Sequence, residues 1–458
     1  MRPIEPSERA ARREQLVRDD HAHLWHPFTQ MRDWLGEEPL IIERGEGNYL
    51  VDVDGRRYLD GVSSLWCNVH GHRHPDLDEA LREQSSRIAH STLLGLAGVP
   101  SIELARQLID VAPEGLTRVF YSDAGATAVE IALKIAFQYW QLRGETRRQQ
   151  FVSLTEAYHG DTIGAMSVGY SEAFHRFHRP LLFERLRLDP PHVFRWQQGL
   201  TPADALRAAI AQAEQMLERH GHEVAAVIVE PLMQGAAGMW DHPVEYLRAL
   251  RELTRRCGAL LICDEVAVGF GRTGRMFAVQ HAGVTPDLMC VGKGITGGYM
   301  PLAATLTTEE IFQAFLAPYE DFRTFFHGHT YTGNALACAV AGASLRVFER
   351  EGVLARVNQR AAELRDLMQE HLAPLEHVGD IRQVGLMVGI ELVRDREGRT
   401  PYATAERIGT RVCQEIRKDS IILRPLGPVV ILMPPLSITS EELAHLVRSC
   451  ARAIDAVT

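Results

Sequence analysis

A carboxylate and an amine stand at the ends of two short apolar segments of this sequence. Asp264 follows Ala259–Cys263, and Lys293 follows Leu288–Val291 inside the run Gly292-Lys-Gly294. A carboxylate at the end of a buried strand can keep a heteroaromatic ring nitrogen protonated, and a lysine amine shielded from water can form a Schiff base with a carbonyl compound. Either residue alone is more often a cap or an exposed loop residue. The functional interpretation therefore depends on their occurring together.

A turn of small residues is the third feature that could do chemistry. The segment Tyr121-Ser-Asp-Ala-Gly-Ala-Thr127 leads from a strand-like run into a strongly helical one. The first backbone N–H groups of a helix have no partner within it and lie at the positive end of its dipole, so this turn could hold a phosphate ester. An ordinary strand-to-helix turn, capped by Ser122 or Asp123, is the alternative.

Two glycine-containing patterns resemble functional motifs of other proteins, but neither matches its motif in full. The run Gly269-Phe-Gly-Arg-Thr-Gly274 has the spacing of a dinucleotide-binding loop, but Arg275–Pro286 is too short and broken for the crossover helix that must follow. The run Ala165-Met-Ser-Val-Gly169 lacks the first glycine of a nucleophile elbow. We therefore predict neither a nicotinamide enzyme nor a serine hydrolase.

Histidines recur at alternate positions in two places, but we predict no metal site. No set of cysteine or acidic residues accompanies them at the spacing of zinc ligands. A structural role or a place in a pocket is the favoured interpretation. These histidines are His70, His72, His74, His327 and His329.

Strands and helices must hold these residues together, and sequence patterns typical of strands and of helices alternate along the chain. Ala126–Trp140 has the apolar periodicity of a helix, and Arg118–Tyr121 before it predicts a short buried strand. Val224–Val229, Ala259–Cys263 and Leu288–Val291 are further short apolar runs, separated by segments long enough for helices. This alternation predicts an α/β fold with a mostly parallel sheet covered by helices on both faces.

The two ends of the chain differ from its centre. Asn48–Asp52 and Arg57–Asp60 flank the turn Asp54-Gly55 and predict a strand pair. The C-terminal part predicts a long helix, Ala335–Phe348 continued to about His371, and then two strands, Leu386–Leu392 and Val429–Met433. A closing helix follows, with a capping box at Thr439 and Glu442. We predict an N-terminal arm with part of a small domain over 1–70, a large ligand-binding domain over 71–335 and a small α+β domain over 336–458.

The composition excludes several classes of protein. The chain has 458 residues, of which 46% are apolar and 24% charged, as expected for a globular protein with a large core. A formal net charge of −10 without a long basic run argues against nucleic acid as a partner. The 7 cysteines favour a reducing compartment, no apolar run is long enough for a membrane span, and Met1–Asp20 is no signal peptide. We therefore predict a cytoplasmic location and no membrane partner.

In this order the motifs resemble the class III aminotransferases, enzymes of fold type I that use pyridoxal 5'-phosphate. The run Asp264-Glu-Val-Ala-Val-Gly-Phe-Gly-Arg-Thr-Gly274 followed by Lys293 is specific to that class. Tyr158-His-Gly-Asp161 and His327-Gly-His-Thr-Tyr-Thr-Gly-Asn334 belong to the same resemblance, which extends over roughly residues 23–455. It implies a large domain with a mostly parallel, seven-stranded sheet and a smaller α+β domain.

The resemblance implies a role for each residue of the cofactor site. Lys293 would bind the cofactor aldehyde and move a proton between substrate and cofactor, Asp264 would keep the ring nitrogen protonated, and Tyr158 would stack on the ring. The phosphate would receive backbone N–H groups from Gly125 and Ala126. It would also contact Thr330 of the partner subunit, because the family is a homodimer with two shared sites.

Within the class, the chain most resembles the group that acts in biotin biosynthesis. This resemblance rests on His23-Leu-Trp-His-Pro-Phe-Thr-Gln30, Ser63-Ser-Leu-Trp66, Val69-His-Gly71, Tyr158-His-Gly-Asp-Thr162 and Arg424-Pro-Leu-Gly427. It implies a ping-pong conversion of 8-amino-7-oxononanoate to 7,8-diaminononanoate. Arg424 would bind the substrate carboxylate, since its fork matches a carboxylate, and Trp66 would line the tunnel for the chain. The substrate-binding residues would be Phe28, Leu65, Trp66, Gly328 and Arg424.

The amino donor implied by the resemblance is S-adenosylmethionine or L-lysine. Members that use S-adenosylmethionine typically have Tyr at the position of Phe28 and an additional Trp at the position of Leu65. Members that use lysine resemble this chain at those positions, and they share Ser91-Thr-Leu-Leu-Gly95 and His327-Gly-His-Thr-Tyr331. The residues therefore favour lysine and leave S-adenosylmethionine open.

Two other functions are compatible with parts of the pattern. A general ω-amino acid or diamine aminotransferase that uses pyruvate or 2-oxoglutarate would share the cofactor site. A non-catalytic protein that binds pyridoxal phosphate would share the fold, but it would need neither Lys293 nor Asp264.

Overall fold

The computed structural model of the protein describes residues 6–458, so the first five residues of the predicted arm lie outside the described residues. The strands of the described part are β1 Ile42–Glu46, β2 Tyr49–Asp52, β3 Arg57–Asp60, β4 Leu116–Ser122, β5 Gln150–Leu154, β6 Leu186–Leu188, β7 Val224–Val229, β8 Met233–Gln234, β9 Trp240–Asp241, β10 Leu260–Asp264, β11 Leu288–Val291, β12 Ala303–Thr308, β13 Val378–Val384, β14 Met387–Leu392, β15 Ile421–Ile422, β16 Arg424–Leu426 and β17 Val429–Leu432. The α-helices are α1 Pro6–His23, α2 Met31–Trp34, α3 Ser63–Trp66, α4 Pro75–Arg87, α5 Val99–Val111, α6 Gly125–Leu142, α7 Ile163–Val168, α8 Glu172–His175, α9 Pro202–His220, α10 Val244–Cys257, α11 Val279–Ala282, α12 Glu309–Ala314, α13 Ala335–Arg350, α14 Val353–His371, α15 Ile408–Glu415 and α16 Ser440–Val457. None of these helices has both the length and the apolar character of a membrane span.

A seven-stranded sheet forms the centre of the molecule, in the order β4-β12-β11-β10-β7-β5-β6. The strands from β11 to β6 pair in parallel, whereas β12 is antiparallel to both of its neighbours. This arrangement confirms the predicted α/β fold with a mostly parallel sheet. Because the carboxyl ends of parallel strands meet at one edge, that edge is where a ligand site is expected.

Helices cover both faces of this sheet, which explains why its strands are continuously apolar. On β10, Leu261 and Cys263 face one core, and Leu260 and Ile262 face the other. The apolar stripe of α6 packs on the second face, and α10 contributes to the first. A strand that is buried on both faces has no polar side to alternate with its apolar one.

Two sequence-based predictions need correction. The predicted buried strand Arg118–Tyr121 is the edge strand β4, in which Arg118 is exposed and pairs with Glu309. The long C-terminal helix is two helices, because Gly352 adopts the left-handed conformation with φ of 56° and ends the first one. Glycine tolerates that conformation without steric cost, and so it permits the change of direction between α13 and α14.

The first strands of the chain join the C-terminal part. β3 pairs in parallel with β15, with Leu59 opposite Ile421, in the sheet β1-β2-β3-β15. A second sheet, β13-β14-β17-β16, is entirely antiparallel. The capping box that starts α16 is present, because Thr439 and Glu442 each accept the backbone N–H of the other.

Helix α1 was not predicted from the sequence. It is mostly exposed and lacks the apolar stripe that periodicity arguments require. Ion pairs and hydrogen bonds fasten it to the first strands: Arg12 pairs with Glu43 at 2.5 Å, and Arg9 donates to the carbonyl of Asp54 at 3.1 Å. Tertiary contacts therefore stabilise a helix that its own sequence does not indicate.

Candidate active site

Four neighbouring parallel strands end at the same edge of the large sheet, and each supplies a functional side chain. Asp264 is the last residue of β10, and Lys293 begins a short 3-10 helix directly after β11. Tyr158 follows β5, and Glu230 follows β7. The topology therefore brings together residues that are far apart in the sequence.

A cavity of about 370 Å³ lies at this edge. Its volume is within the range of ligand pockets in proteins, about 300–1,000 Å³. The structure brings six of the predicted site residues into its wall: Trp66, Gly125, Ala126, Tyr158, Asp264 and Lys293.

The carboxylate of Asp264 is fixed on both of its oxygens. Oδ2 lies 2.7 Å from Nδ1 of His159, and Oδ1 accepts the backbone N–H of Val266 at 3.0 Å. Asp264 is 5% exposed and His159 is 3% exposed. A carboxylate held in this way can keep a protonated ring nitrogen in place.

Lys293 has a strained backbone and a shielded amine. Its φ of 42° is in the left-handed region, which is uncommon for a residue with a side chain. Glycine is needed on its C-terminal side, because a Cβ on Gly294 would lie 2.9 Å from the Cβ of Phe270. Nζ lies 4.7 Å from the centre of the Trp66 ring.

Burial lowers the pKa of Lys293, while the charges of Asp264 and Glu230 oppose that shift. Among the described residues, no carboxylate lies within ion-pairing distance of the amine, 4.0 Å. A lowered pKa increases the fraction of neutral amine, which is the form that attacks a carbonyl carbon.

Tyr158 is held through both its hydroxyl group and its backbone. The hydroxyl donates to Oδ2 of Asp161 at 2.7 Å, and the backbone N–H donates to Oε1 of Glu230 at 3.1 Å. Burial, together with the bond to Asp161, raises the pKa of Tyr158. The ring therefore remains neutral and in a fixed orientation in the wall of the cavity.

The predicted phosphate turn has free backbone donors. The first backbone bond of α6 runs from Ala128 N to Ala124 O at 3.0 Å, so the N–H groups of Gly125 and Ala126 precede the helical pattern. Thr127 closes the turn, since its Oγ1 accepts from the N–H of Ala124 at 3.1 Å. A Cβ on Gly125 would lie 2.5 Å from Val266, so only glycine fits at this position. Free N–H groups at a helix start are suited to an anion.

A larger cavity of about 980 Å³ opens from the first. Trp66, Tyr158 and Lys293 line both cavities. Phe28, Leu65 and Arg424, predicted as substrate-binding residues, line the outer one, and the guanidinium carbon of Arg424 lies 6.0 Å from the centre of the Phe28 ring. The arrangement places a cation and aromatic walls in one space with the amine of Lys293.

Thr330 and Gly328 do not line either cavity of this chain. Both are exposed, and the carbonyl of Thr330 accepts a hydrogen bond from Nε2 of His90 at 2.8 Å. Within the described residues of one chain, neither residue therefore reaches the cavity in which its predicted role would place it.

Sequence reasoning missed two residues that organise this site. Glu230 accepts the backbone N–H groups of Tyr158 and of Gly235, at 3.1 and 2.9 Å. Burial raises the pKa of Glu230 to about 7, with Asp264 adding to that effect and His159 opposing it. Its position after the apolar strand β7 matches that of Asp264 after β10, so the same rule could have found it. His159 belongs to the motif Tyr158-His-Gly-Asp161, but only its distance from Asp264 reveals its role.

The patterns that we set aside have structural roles. In the glycine-rich run 269–274, Arg272 is buried and donates to the carbonyl of Asn68 at 2.7 Å. Ser167 lies inside α7, and its Oγ donates to the carbonyl of Ile163 at 2.7 Å. His70 faces Ser344 Oγ at 2.9 Å. Over residues 6–458, no cluster of His, Cys, Asp and Glu residues has a geometry that would hold a metal ion.

The residues of the inner cavity fit pyridoxal phosphate. A carboxylate, a shielded lysine, a fixed tyrosine ring and two free backbone N–H groups border one space of suitable volume. Nε2 of the buried His159 has no partner among the described residues. The donor set matches an aromatic ring nitrogen, an aldehyde and a phosphate.

Comparison with known sequences identifies the family of this chain. The family described as aminotransferase class-III matches residues 32–454. A relative from Nitratidesulfovibrio vulgaris, named adenosylmethionine-8-amino-7-oxononanoate aminotransferase, is 58% identical over 98% of this chain and 83% of its own. A relative of the same name from Geobacter sulfurreducens is 49% identical over 97% of this chain and 98% of its own.

Solved structures show the same similarity in three dimensions. The adenosylmethionine-8-amino-7-oxononanoate aminotransferase of Methanocaldococcus jannaschii superimposes with a TM-score of 0.92 at 45% identity, covering 97% of this chain and 99% of that one. An (S)-enantioselective omega-transaminase from Thermomicrobium roseum also has a TM-score of 0.92, at 36% identity, covering 97% of this chain and 98% of that one.

Proposed function

This chain belongs to the class III aminotransferases, and from that premise we propose that it converts 8-amino-7-oxononanoate to 7,8-diaminononanoate in biotin biosynthesis. The observation that carries the proposal is the outer cavity, in which Arg424 and Lys293 border the same space. A long-chain keto acid needs a cation for its carboxylate, apolar walls for its chain and the reactive amine at its carbonyl carbon.

Enzymes of this class depend on pyridoxal 5'-phosphate. When bound, this cofactor supplies an aldehyde that exchanges for an amine and a ring that accepts electrons as the substrate loses a proton. Asp264, oriented by His159, would hold the ring nitrogen protonated. Lys293 would bind the cofactor and then, as a neutral amine, move the proton at the substrate carbon. Gly125 and Ala126 would bind the phosphate through their N–H groups.

The outer cavity would select the keto acid. Arg424 would bind the carboxylate in two hydrogen bonds, because the guanidinium fork matches the geometry of a carboxylate. Phe28 and Trp66 would line the path of the carbon chain and exclude water from it. Tyr158 would orient the ring of the cofactor, since its hydroxyl is already held by Asp161.

The amino donor is S-adenosylmethionine or L-lysine in this proposal. The names of the relatives favour S-adenosylmethionine. Phe28 and Leu65 favour lysine, because each occupies a position where users of S-adenosylmethionine typically carry a larger or more polar aromatic residue. A direct comparison of the two donors decides between them.

We further propose a cytoplasmic homodimer in which Thr330 of the partner subunit completes the phosphate site. Support comes from large apolar side chains that are exposed and lie close in sequence either to Thr330 or to His90, whose ring binds the carbonyl of Thr330. Isolated apolar residues on a surface are common, but a group of them indicates an interface. They are Leu94, Leu96, Val99, Ile102, Phe326 and Tyr331.

The visible absorption spectrum of the purified protein tests this function. We expect a yellow protein whose band is lost on addition of one of the two donors, and 8-amino-7-oxononanoate should then restore it. A band that neither donor removes would contradict the proposed half-reaction while leaving the cofactor assignment intact. A protein that stays colourless with added pyridoxal phosphate would contradict the site as a whole.

A general ω-transaminase that uses pyruvate is the second candidate. The omega-transaminase of Thermomicrobium roseum favours this candidate, because its TM-score and the share of this chain that it covers equal those of the Methanocaldococcus jannaschii enzyme. Pyruvate offered as the acceptor separates the two functions. Turnover with pyruvate but not with 8-amino-7-oxononanoate would establish the second candidate instead of the first.

A further inference from the structure

Two opposite charges border the outer cavity without an ion-pair partner. Glu156 and Arg424 both line this cavity. Among residues 6–458, no nitrogen of a lysine, arginine or histidine lies within 4.0 Å of the Glu156 carboxylate, and no carboxylate oxygen lies within that distance of the Arg424 guanidinium. Arg424 has a use in the proposed reaction, because it would bind the carboxylate of the keto acid. The reaction as described so far gives no role to the carboxylate of Glu156.

This carboxylate is fixed through one oxygen and keeps the other available. Oε2 of Glu156 accepts the hydroxyl of Ser171 at 2.9 Å, and the buried Ser171 donates its backbone N–H to Nδ1 of His175 at 3.2 Å. Oε1 accepts no hydrogen bond from residues 6–458. Asp161, the other carboxylate of the cavity wall, has the Tyr158 hydroxyl on Oδ2 and Nε2 of His175 at 3.5 Å from Oδ1. Glu156 is therefore the carboxylate of this wall with an oxygen left for a ligand.

The backbone of Glu156 is strained, with a φ of 59° in the left-handed region. Glu156 is in the turn that leaves β5, and the backbone N–H of Ala157 donates to the carbonyl of Leu154 at 3.3 Å across this turn. Glycine adopts such a conformation without steric cost, whereas a glutamate does not. Strained residues of this kind cluster at functional sites, where the surrounding structure holds them in place. The strain at Glu156 fits a side chain with a role in binding.

The position of Glu156 suits a group that is remote from the reacting atoms. Glu156 lines the outer cavity but not the inner one, which would hold the cofactor. Aromatic side chains line the same outer cavity, and the ring of Phe174 is centred 6.3 Å from that of Tyr158 and 6.0 Å from that of Phe28. A chain of methylene groups can pack on such a surface while its charged end reaches a polar partner.

We propose that Glu156 binds the ammonium group of L-lysine that does not react, and that it thereby selects lysine as the amino donor. An ammonium group has three N–H donors, so it can bond to Oε1 of Glu156 and to a lone pair of Ser171 Oγ. The sulfonium centre of S-adenosylmethionine is also positive, but it has no hydrogen to donate to this carboxylate. The inference rests on the proposed function, because it concerns the donor of that same reaction.

The donor half-reaction of the holoenzyme tests the proposal, since it separates donor binding from the keto acid step. The rate at which lysine removes the visible band is measured over a range of lysine concentrations. Glu156→Gln keeps the shape of the side chain and an oxygen for Ser171, but it removes the charge. We expect it to raise the half-saturating lysine concentration roughly tenfold, as for a lost hydrogen bond to a charged group, and to leave the limiting rate within about twofold.

Glu172→Gln is the matched control. Glu172 is an exposed glutamate of α8 that directly follows Ser171 and does not line the cavity, and its replacement changes the net charge by the same amount. Its half-saturating lysine concentration should equal that of the natural protein. Ser171→Ala is a second test that leaves the charge of Glu156 in place. It should raise the half-saturating concentration by a smaller factor, roughly threefold, because the carboxylate loses its fixed orientation.

Two analogues of lysine show whether the effect depends on its second amino group. L-norleucine and 6-aminohexanoate each lack one of the two amino groups, so neither can occupy the reacting position and Glu156 together. As competitors of lysine they should inhibit the natural protein and Glu156→Gln to the same extent. An unchanged intensity of the visible band before addition of lysine shows that each variant folds and binds the cofactor.

An unchanged half-saturating lysine concentration in Glu156→Gln would overturn the proposal. An equal increase in Glu172→Gln, or weaker inhibition of Glu156→Gln by both analogues, would also overturn it, because the effect would then not depend on the second ammonium group. A band that S-adenosylmethionine removes and lysine does not would overturn the proposal and leave the proposed function intact. If neither donor removed the band of the natural protein, the proposed function itself would fail.

Discussion

The Nδ1 atom of His159 lies 2.7 Å from Oδ2 of Asp264, and both side chains are almost completely buried. His159 follows β5 and Asp264 is the last residue of β10, and in the sheet only β7 lies between these two strands. A buried carboxylate is costly unless charged or hydrogen-bonding partners satisfy it. His159 therefore orients Asp264 for a ligand that the cavity would receive.

Replacing Asp264 with Ala should leave cofactor binding detectable and remove most of the transamination. The interaction between a carboxylate and a protonated ring nitrogen is worth about 1.5–3 kcal/mol, so kcat should fall at least roughly 10- to 100-fold. Single-turnover kinetics measure the loss. His159→Gln should cause a smaller decrease, because it disturbs only the orientation. Near-normal turnover in Asp264→Ala would rule out the role given to this carboxylate.

Replacing Lys293 with Ala should abolish turnover. Removing a group that transfers a proton typically costs about 10²–10⁴-fold, and here the same residue would also hold the cofactor. The visible spectrum should lose the band of the lysine-bound cofactor, while the far-ultraviolet circular dichroism should not change. Full turnover in this variant would rule out the catalytic role given to Lys293.

Replacing Arg424 with Ala should weaken the keto acid step and spare the donor step. The lost contact between a guanidinium and a carboxylate corresponds to about 1.5–3 kcal/mol, or a roughly 10- to 100-fold higher KM for the keto acid. Stopped-flow absorption measures each half-reaction separately. Arg147→Ala, at an exposed arginine, is the matched control and should change neither step. Loss of the donor step alone would assign Arg424 to the donor.

The free energy of unfolding of the apoprotein should decrease as pH rises from about 4.5 to about 7, because of Glu230. Burial raises its pKa from 4.5 to about 7 in the folded chain. In that range the unfolded chain has lost the proton and the folded chain retains it, so a higher pH favours unfolding. The contribution is at most about 1.4 kcal/mol per pH unit.

Denaturant unfolding of the apoprotein at several pH values measures this contribution. Glu230→Gln should reduce the decrease in the free energy of unfolding across this pH range. Glu252→Gln, at an exposed glutamate, should leave that decrease unchanged. Identical pH profiles in the natural protein and in Glu230→Gln would show that this carboxyl does not have the raised pKa.

The residues at positions 28 and 65 should determine the donor. Phe28 and Leu65 both line the outer cavity. The double variant Phe28→Tyr with Leu65→Trp should raise kcat/KM for S-adenosylmethionine relative to lysine. The two substitutions introduce the aromatic residues that enzymes using S-adenosylmethionine typically carry at these positions. The two donor half-reactions, followed by absorption, give this ratio. An unchanged ratio would mean that other residues select the donor.

The sequence alone was sufficient for the three central strands of the large sheet, β7, β10 and β11, and for Asp264 and Lys293 at the ends of two of them. Val224–Val229, Ala259–Cys263 and Leu288–Val291 are apolar throughout because both faces of those strands are covered, and this local pattern needs no knowledge of the partners. Asp264 and Lys293 could be singled out because a polar residue directly after such a strand lies at the ligand-binding edge.

Only the tertiary structure decided which side chains meet. The contact of His159 with Asp264 and the hydrogen bonds of Glu230 to two loops join residues that no local pattern relates. Helix α1 and the edge position of β4 are also set by neighbouring elements. Periodicity records which side of a segment is buried, but hydrogen bonds and ion pairs depend on distances that exist only after the chain has folded.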